Sequence, residues 1–208
     1  MLVELSLFRH PAFLPSASST LQSHLRLIAE SSPSTYIYTQ MEDPTYIYII
    51  QPATLTRKND KVEELSAHEG INLEWTLQIE LNHHATDTPE TETTQLDSLL
   101  PTKAPVIAIG RYFVPPEKKT GYLETFNATK GHLEAFTAPY PLAGGWETYP
   151  SSAGGDDKED YVLFSGWDAV ERHFAFADTE GFNEFAKIKG FLDGGDIKHV
   201  VRWEGVGQ

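Results

Sequence analysis

The stretch Tyr161-Val162-Leu163-Phe164-Ser165-Gly166-Trp167 decides the fold, because an apolar run of this length predicts a buried strand. Asp168, directly after it, can cap a helix, and Glu171 three residues on completes a capping box. The stretch therefore predicts a strand that leads directly into a helix.

The pattern continues in both directions from this stretch. Downstream, Phe182, Phe185 and Ile188 extend the apolar helix face, a Gly-Gly pair at 194 and 195 ends it, and residues 197–203 predict a last strand. Upstream lie a strand at residues 106–114, an amphipathic helix and a short strand at residues 145–149. The second half of the chain is thus predicted as β-α-β-β-α-β.

The first half predicts the same order of elements. A strand near residues 3–8 precedes a helix that carries Leu21, Leu25 and Ile28 at helical spacing. Two Tyr/Ile-rich runs, residues 35–41 and 45–51, flank Glu42-Asp43-Pro44 and predict a hairpin. A weak helix at residues 59–68 and a strand at residues 72–81 complete the unit.

These two patterns define the predicted organisation of the chain. Residues 1–82 form the first half, residues 83–103 an acidic, Thr-rich linker, and residues 104–208 the second half. A β-α-β-β-α-β unit is the ferredoxin-like arrangement, in which two helices cover one face of a four-stranded antiparallel sheet. The expected class is therefore α+β with two fused ferredoxin-like halves, and the alternative is an unrelated mixed α/β arrangement.

Composition excludes several functional classes. The 208 residues are 40% hydrophobic and contain no cysteine, which removes disulfides and thiolate chemistry. A formal net charge of −14 disfavours nucleic acid and anionic membranes as partners. Residues 1–10 predict a strand and not a signal peptide, so the expected location is cytoplasmic.

The second half resembles a known family. Residues 161–167, the spacing Val170-Glu171-x-His173-x-x-Phe176 and the later stretches at 182–188 and 196–199 are similar to antibiotic-biosynthesis-monooxygenase-like domains, most of all to the tandem proteins of filamentous fungi. The resemblance implies antiparallel sheets packed into a pseudo-dimeric α/β barrel, with a pocket between sheet and helices. Known chemistries of the superfamily are cofactor-free oxidation of polycyclic aromatics, polyketide cyclisation, lactone isomerisation and haem degradation, and some members have no established activity.

The candidate catalytic residues are two histidines and two tyrosines. His173 is expected on a helix face shared with Val170, Phe174 and Ala177, where an imidazole among apolar groups can move protons. His199 alternates with Ile197 and Val201, which places it on a buried side of the last strand. The alternative for both is a packed, structural histidine. By the resemblance, Tyr112 and Tyr161 are expected near the same pocket.

The expected substrate contacts are Trp167, Phe176, Arg111 and Trp146, although the two tryptophans can equally be packing residues. Phe176 stands where cyclases of the superfamily carry a tyrosine, which counts against cyclase chemistry. The histidines lack the spacing of a zinc site, and no phosphate-binding glycine motif is present, so no metal and no cofactor are expected.

The functional hypothesis is a cofactor-independent enzyme, monooxygenase-like or cyclase-like, that acts on a small hydrophobic aromatic or polyketide-like molecule in a pocket of the second half. The alternatives are a non-catalytic ligand-binding or stress-related barrel and a purely structural oligomer. Fusion of the halves predicts a monomer with an internal pseudo-dimer, or at most a weak homodimer.

Overall fold

A computed structural model describes residues 1–11, 19–31, 34–53, 65–67, 70–81, 92–148 and 159–205. Within these ranges the strands are β1 (Leu2–Arg9), β2 (Tyr36–Gln40), β3 (Tyr46–Pro52), β4 (Asn72–Leu81), β5 (Val106–Val114), β6 (Ala143–Glu147), β7 (Glu159–Trp167) and β8 (Gly194–Arg202). The α-helices are α1 (Ser19–Ser31), α2 (Glu92–Leu99), α3 (Lys119–Thr137), α4 (Val170–Phe176) and α5 (Glu180–Phe185). Short 3-10 helices cover Pro116–Lys118 and Ala186–Phe191.

The strands form one closed antiparallel barrel in the order β1-β3-β2-β8-β5-β7-β6-β4. The first half contributes β4-β1-β3-β2, and the second half contributes β8-β5-β7-β6, so both follow the same ferredoxin-like order. Two seams join them, β2 with β8 and β4 with β6. The predicted α+β class is confirmed, and the pairing of the two sheets leaves no free edge in the barrel.

The barrel interior is an apolar core built from both halves. Its buried members include Leu5 and Tyr38 from the first half, and Ile107, Phe164 and Val200 from the second. Alternate residues of each strand point outward instead, where helices cover them. Helix α1 packs on the sheet of the first half, and helices α3 to α5 pack on the sheet of the second.

The segment predicted as a linker contains a helix. Residues 82–91 lie outside the described part of the chain, but residues 92–99 form α2. Leu96 and Leu100 are fully buried and join the interior core of the barrel. Asp97, on the same helix, accepts hydrogen bonds from the hydroxyls of Tyr36 and Thr102. Apolar residues four apart give this helix a face to bury, which the acidic, Thr-rich composition obscured.

Two local predictions need correction or lie outside the described residues. The helix α4 begins one residue later than predicted, with Ala169 at its N-cap and no side-chain cap bond. Asp168 accepts a hydrogen bond from the Tyr140 hydroxyl at 2.8 Å, so the predicted capping box is wrong. Most of the weak helix predicted at residues 59–68 lies outside the described residues.

Candidate functional site

A small apolar cavity lies between the second half of the sheet and the helices that cover it. Its volume is about 200 Å³. The apolar lining comes mainly from Leu133, Leu163, Phe176, Phe182, Phe185 and Ile188. On the floor, β5 contributes Ala108 and Gly110, whose small size leaves room beneath the helices. Tyr112, Ser165, His173 and Lys189 are the polar residues that line it.

His173 reaches this cavity from α4 and is held by aromatic packing. Its ring stacks on buried Trp167, with centroids 4.4 Å apart and planes within 18°. The helix face that turns inward carries Val170, His173 and Phe176, because Phe174 and Ala177 are exposed. The prediction that Phe174 and Ala177 share the inward face is therefore wrong, whereas the inward position predicted for His173 is observed.

The two candidate histidines contact each other directly. Nδ1 of His173 lies 2.8 Å from Nε2 of His199. His199 is 6% exposed, so the predicted buried position is observed, and its pairing with Ala108 across β8 and β5 places it on the helix-facing side of the sheet. In the described part of the chain, no hydrogen bond reaches the second nitrogen of His173, Nε2.

A carboxylate from the first half completes this group. Oε1 of Glu42 lies 2.7 Å from Nδ1 of His199, and both oxygens accept the backbone N–H of His199 at 3.0 and 3.2 Å. Glu42 follows β2, which pairs with β8 at the seam. The sequence showed Glu42 only as part of a hairpin turn. Nothing local indicated a contact with a residue so far along the chain, so this member of the site was missed.

Burial keeps His173 neutral near pH 7. Loss of hydration, reinforced by the nearby His199, lowers the pKa of His173 from 6.5 to about 4. An uncharged imidazole can accept a proton at its free nitrogen, whereas an imidazolium cannot. At neutral pH His173 is therefore in the unprotonated form, and a positive charge on its ring is disfavoured.

This pKa predicts a pH-dependent stability. Because the folded-state pKa lies below the unfolded value of 6.5, the unfolded chain binds protons more readily in that interval. We expect full stability above about pH 6.5 and a loss on the order of 2 kcal/mol by pH 4. Urea unfolding at a series of pH values from 7 to 4 measures this loss in the free energy of unfolding. His173→Gln should flatten the profile and His132→Gln, at an exposed position on α3, should not; equal profiles for the two variants would contradict the assignment.

Tyr112 places a phenol at the same cavity. Its ring folds over Gly110, where a Cβ atom would lie only 3.0 Å from the phenol oxygen, so glycine makes this position available. Burial raises the pKa of Tyr112 to about 12. The phenol therefore stays protonated at neutral pH and can donate a hydrogen bond to a ligand oxygen.

The remaining predicted residues are divided between the cavity and other places. Phe176 lines the cavity, and Trp167 supports His173 from behind. Tyr161 and Trp146 lie instead in an aromatic cluster, with their ring centroids 5.0 Å apart. Neither of them is among the residues that line the cavity.

Arg111 lies on the opposite face of β5. Its Nε donates to Asp160 at 2.9 Å, and its guanidinium covers the ring of Trp75 at 4.4 Å. Arg111 lines a second cavity of about 490 Å³ at one mouth of the barrel. This cavity is more polar than the one that His173 lines, and Glu42 also lines it. The structure thus separates Arg111 from His173 because neighbouring residues of a strand point to opposite faces.

The described residues include no group of three or more histidines and carboxylates placed to hold a metal ion. Haem does not fit the cavity that His173 lines, because a tetrapyrrole is much larger than its 200 Å³. Both ring nitrogens of His199 are also engaged, by His173 and by Glu42. Within the same ranges, no helix is long and apolar enough to cross a membrane.

Comparison with known proteins identifies the fold class. No protein-family model matches the chain, and no curated protein matches its sequence significantly. Among solved structures, a proposed monooxygenase from Fusobacterium nucleatum matches with a TM-score of 0.60 at 11% identity, over 99% of this chain and 94% of its own. An anthrone oxidase-like protein matches with a TM-score of 0.56 at 14% identity, over 100% and 94%.

Chlorite dismutase from Candidatus Nitrospira defluvii has a similar structure, with a TM-score of 0.59 at 11% identity over 97% of this chain and 91% of its own. These identities are low, so the similarity establishes the fold alone. The chain is a closed, eight-stranded α+β barrel with the same fold as these monooxygenase-like and chlorite dismutase structures. In this chain the hydrogen-bonded group Glu42, His199 and His173 lies at a seam between the halves.

Proposed function

We propose that this protein is a cofactor-independent enzyme that acts on a small hydrophobic molecule, aromatic or polyketide-like, in the cavity of the second half. The observation that carries the proposal is His173, an uncharged imidazole that lines an apolar cavity. One of its nitrogens bonds to His199, and among the residues that the structure describes the other has no hydrogen-bond partner.

The arrangement suits removal of a proton from an acidic C–H or O–H group of the substrate. Nε2 of His173 accepts the proton, and the phenol of Tyr112 donates a hydrogen bond to the oxygen on which negative charge develops. Apolar walls strengthen both interactions because they exclude water. The enolate or phenolate formed in this way can react with dioxygen, as in a monooxygenase, or with a second carbonyl group, as in a cyclase.

The lining of the cavity supports an aromatic ligand. Phe176, Phe182 and Phe185 offer ring faces and edges, while Lys189 is the one cation among the residues that line it. Phe176 in place of the cyclase tyrosine favours the monooxygenase-like outcome. One structural neighbour is described as anthrone oxidase-like, which makes anthrone a reasonable first probe.

The architecture supports a self-contained unit. Both seams of the barrel are made within one chain, so pairing with a second copy is not needed to close the sheet. We infer a monomer with an internal pseudo-dimer, or at most a weak homodimer. The repeated strand order fits the tandem type that the sequence resembles in filamentous fungi, and a cysteine-free, acidic chain fits the cytoplasm.

The decisive variant is His173→Ala. With anthrone and dioxygen as substrates, the expected products are anthraquinone and water. Chromatography measures the anthraquinone formed, and an oxygen electrode measures the dioxygen consumed. We expect His173→Ala to lower kcat by 10²- to 10⁴-fold, because it removes the general base. His132→Ala changes an exposed histidine and should leave the rate unaltered. If anthrone is inert, the same comparison applies to the small molecule that native mass spectrometry finds bound to the purified chain.

Equal rates for His173→Ala and wild type would refute catalysis by His173. A ligand that binds unchanged to both proteins would then favour the alternative, a non-catalytic small-molecule-binding barrel.

A further inference from the structure

We propose that Glu42, His199 and His173 form a proton relay that connects the apolar cavity of the second half with the mouth of the barrel. The relay rests on the proposed function, because it carries the proton that His173 removes from a substrate. It also adds to that function, since it assigns a role to a carboxylate of the first half and a use to the second cavity.

Continuous hydrogen bonding carries the argument. The distance from His173 Nδ1 to His199 Nε2 is 2.8 Å, and that from His199 Nδ1 to Glu42 Oε1 is 2.7 Å. A carboxylate only accepts, so His199 carries a proton on Nδ1, and in neutral His199 the other nitrogen, Nε2, accepts from Nδ1–H of His173. This assignment leaves Nε2 of His173 as an acceptor at the cavity.

The proton balance follows from these tautomers. When Nε2 of His173 takes a proton, the proton on Nδ1 moves to Nε2 of His199. His173 is then neutral in its other tautomer, and His199 is an imidazolium beside the Glu42 carboxylate. Burial makes His173 a poor place for positive charge, whereas His199 has an anion at hydrogen-bond distance. The charge therefore comes to rest on His199.

Glu42 provides the exit to water. Its side chain is 41% exposed, while that of His199 is 7% exposed. It lines the 490 Å³ cavity at the barrel mouth, on the other side of the sheet from the cavity that His173 lines. A proton shared between His199 and Glu42 can exchange there with solvent without passing the bound substrate.

Other charges face the relay from both cavities. Asp43, Glu74 and Asp196 are the further anions at the barrel mouth, and Arg111 and Lys198 are the cations. Lys189 and the neutral phenol of Tyr112 line the inner cavity. Among these residues, Glu74 is an exposed carboxylate in the same cavity as Glu42 but without a bond to His199. It offers a matched control for the same change of charge.

The test compares Glu42→Gln with Glu74→Gln in the full chain. With ¹⁵N-labelled histidine, long-range ¹H–¹⁵N spectra report the tautomer and the pKa of each imidazole without any substrate. We expect Nδ1–H tautomers at both His173 and His199 in the wild type. Glu42→Gln removes the charge that contacts Nδ1 of His199, so it should clearly change the ¹⁵N chemical shifts of the His199 ring. Glu74→Gln, which removes the same charge elsewhere in that cavity, should leave them close to the wild-type values.

A His173 that carries its proton on Nε2, or ¹⁵N shifts of the His199 ring that are equal in the two variants, would overturn the relay. Turnover separates this failure from that of the proposed function. If the relay operates, Glu42→Gln lowers kcat at unchanged KM and shifts the pH profile, and Glu74→Gln does neither. If His173→Ala abolishes turnover but Glu42→Gln and Glu74→Gln have the same kcat and pH profile, the proposed function is supported and the relay is refuted. If the spectra show the relay but His173→Ala is fully active, the function fails.

Discussion

Replacement of Gly145 by alanine is expected to destabilise the barrel by about 3 kcal/mol, at the upper end of the cost of overpacking. A Cβ atom at this position would overlap the carbonyl oxygen of Glu80 and approach its carbonyl carbon to 2.6 Å. Both are backbone atoms, which cannot rotate away as a side chain can. Gly145 pairs with Leu81 where β6 meets β4, so the change forces apart one of the two seams between the halves.

The effect should be visible in thermal unfolding as a decrease in Tm of roughly 10 °C for a chain of this size. Gly131→Ala is the control, because a Cβ atom there meets nothing within 4 Å on the exposed side of α3. It should stabilise the protein by about 0.5–1 kcal/mol, since alanine restricts the unfolded chain and favours helix. If Gly145→Ala unfolds at the wild-type temperature, the close contact between β4 and β6 is not as described.

Much of the fold could be predicted because it depends on local patterns. The strands predicted at residues 72–81 and 106–114, the second closed by Pro115-Pro116, have the bounds that β4 and β5 show. The repeat of β-α-β-β in each half then led to the barrel class. Closure itself, through β2 with β8 and β4 with β6, depends on pairs distant in sequence, and the resemblance alone suggested it.

The candidate site was predictable only in part, for the same reason. The position of His173 on an apolar helix face and the alternation around His199 were local signals, and the two side chains do meet. Glu42 gave no such signal, because a charged residue in a hairpin turn is typical of any solvated turn. Arg111 and Tyr112 were grouped as neighbours in sequence, yet adjacent strand residues point to opposite faces, and only Tyr112 reaches the cavity.

Truncation of Trp167 to alanine should be more damaging still, with a loss of about 3–5 kcal/mol in the free energy of unfolding. The indole is 2% exposed, lies in the core of the second half, and donates to the hydroxyl of Ser165 at 2.9 Å. Its removal leaves an unfilled volume beside His173. Urea unfolding measures the loss. Trp203 is half-buried and packs against the core of the first half, so Trp203→Ala should cost less.

The same variant tests what holds His173 neutral. Trp167 covers one face of the imidazole at 4.4 Å, so water that enters the space should rehydrate the ring and raise its pKa from about 4 towards 6.5. Trp167→Phe retains an aromatic ring but cannot donate to Ser165, and should therefore keep the pKa of His173 low at a smaller cost in stability. If the pKa of His173 is the same in the alanine and phenylalanine variants, the stacked indole is not what excludes water. Hydration of His173 would then be controlled from the cavity side, by the phenylalanines that line it.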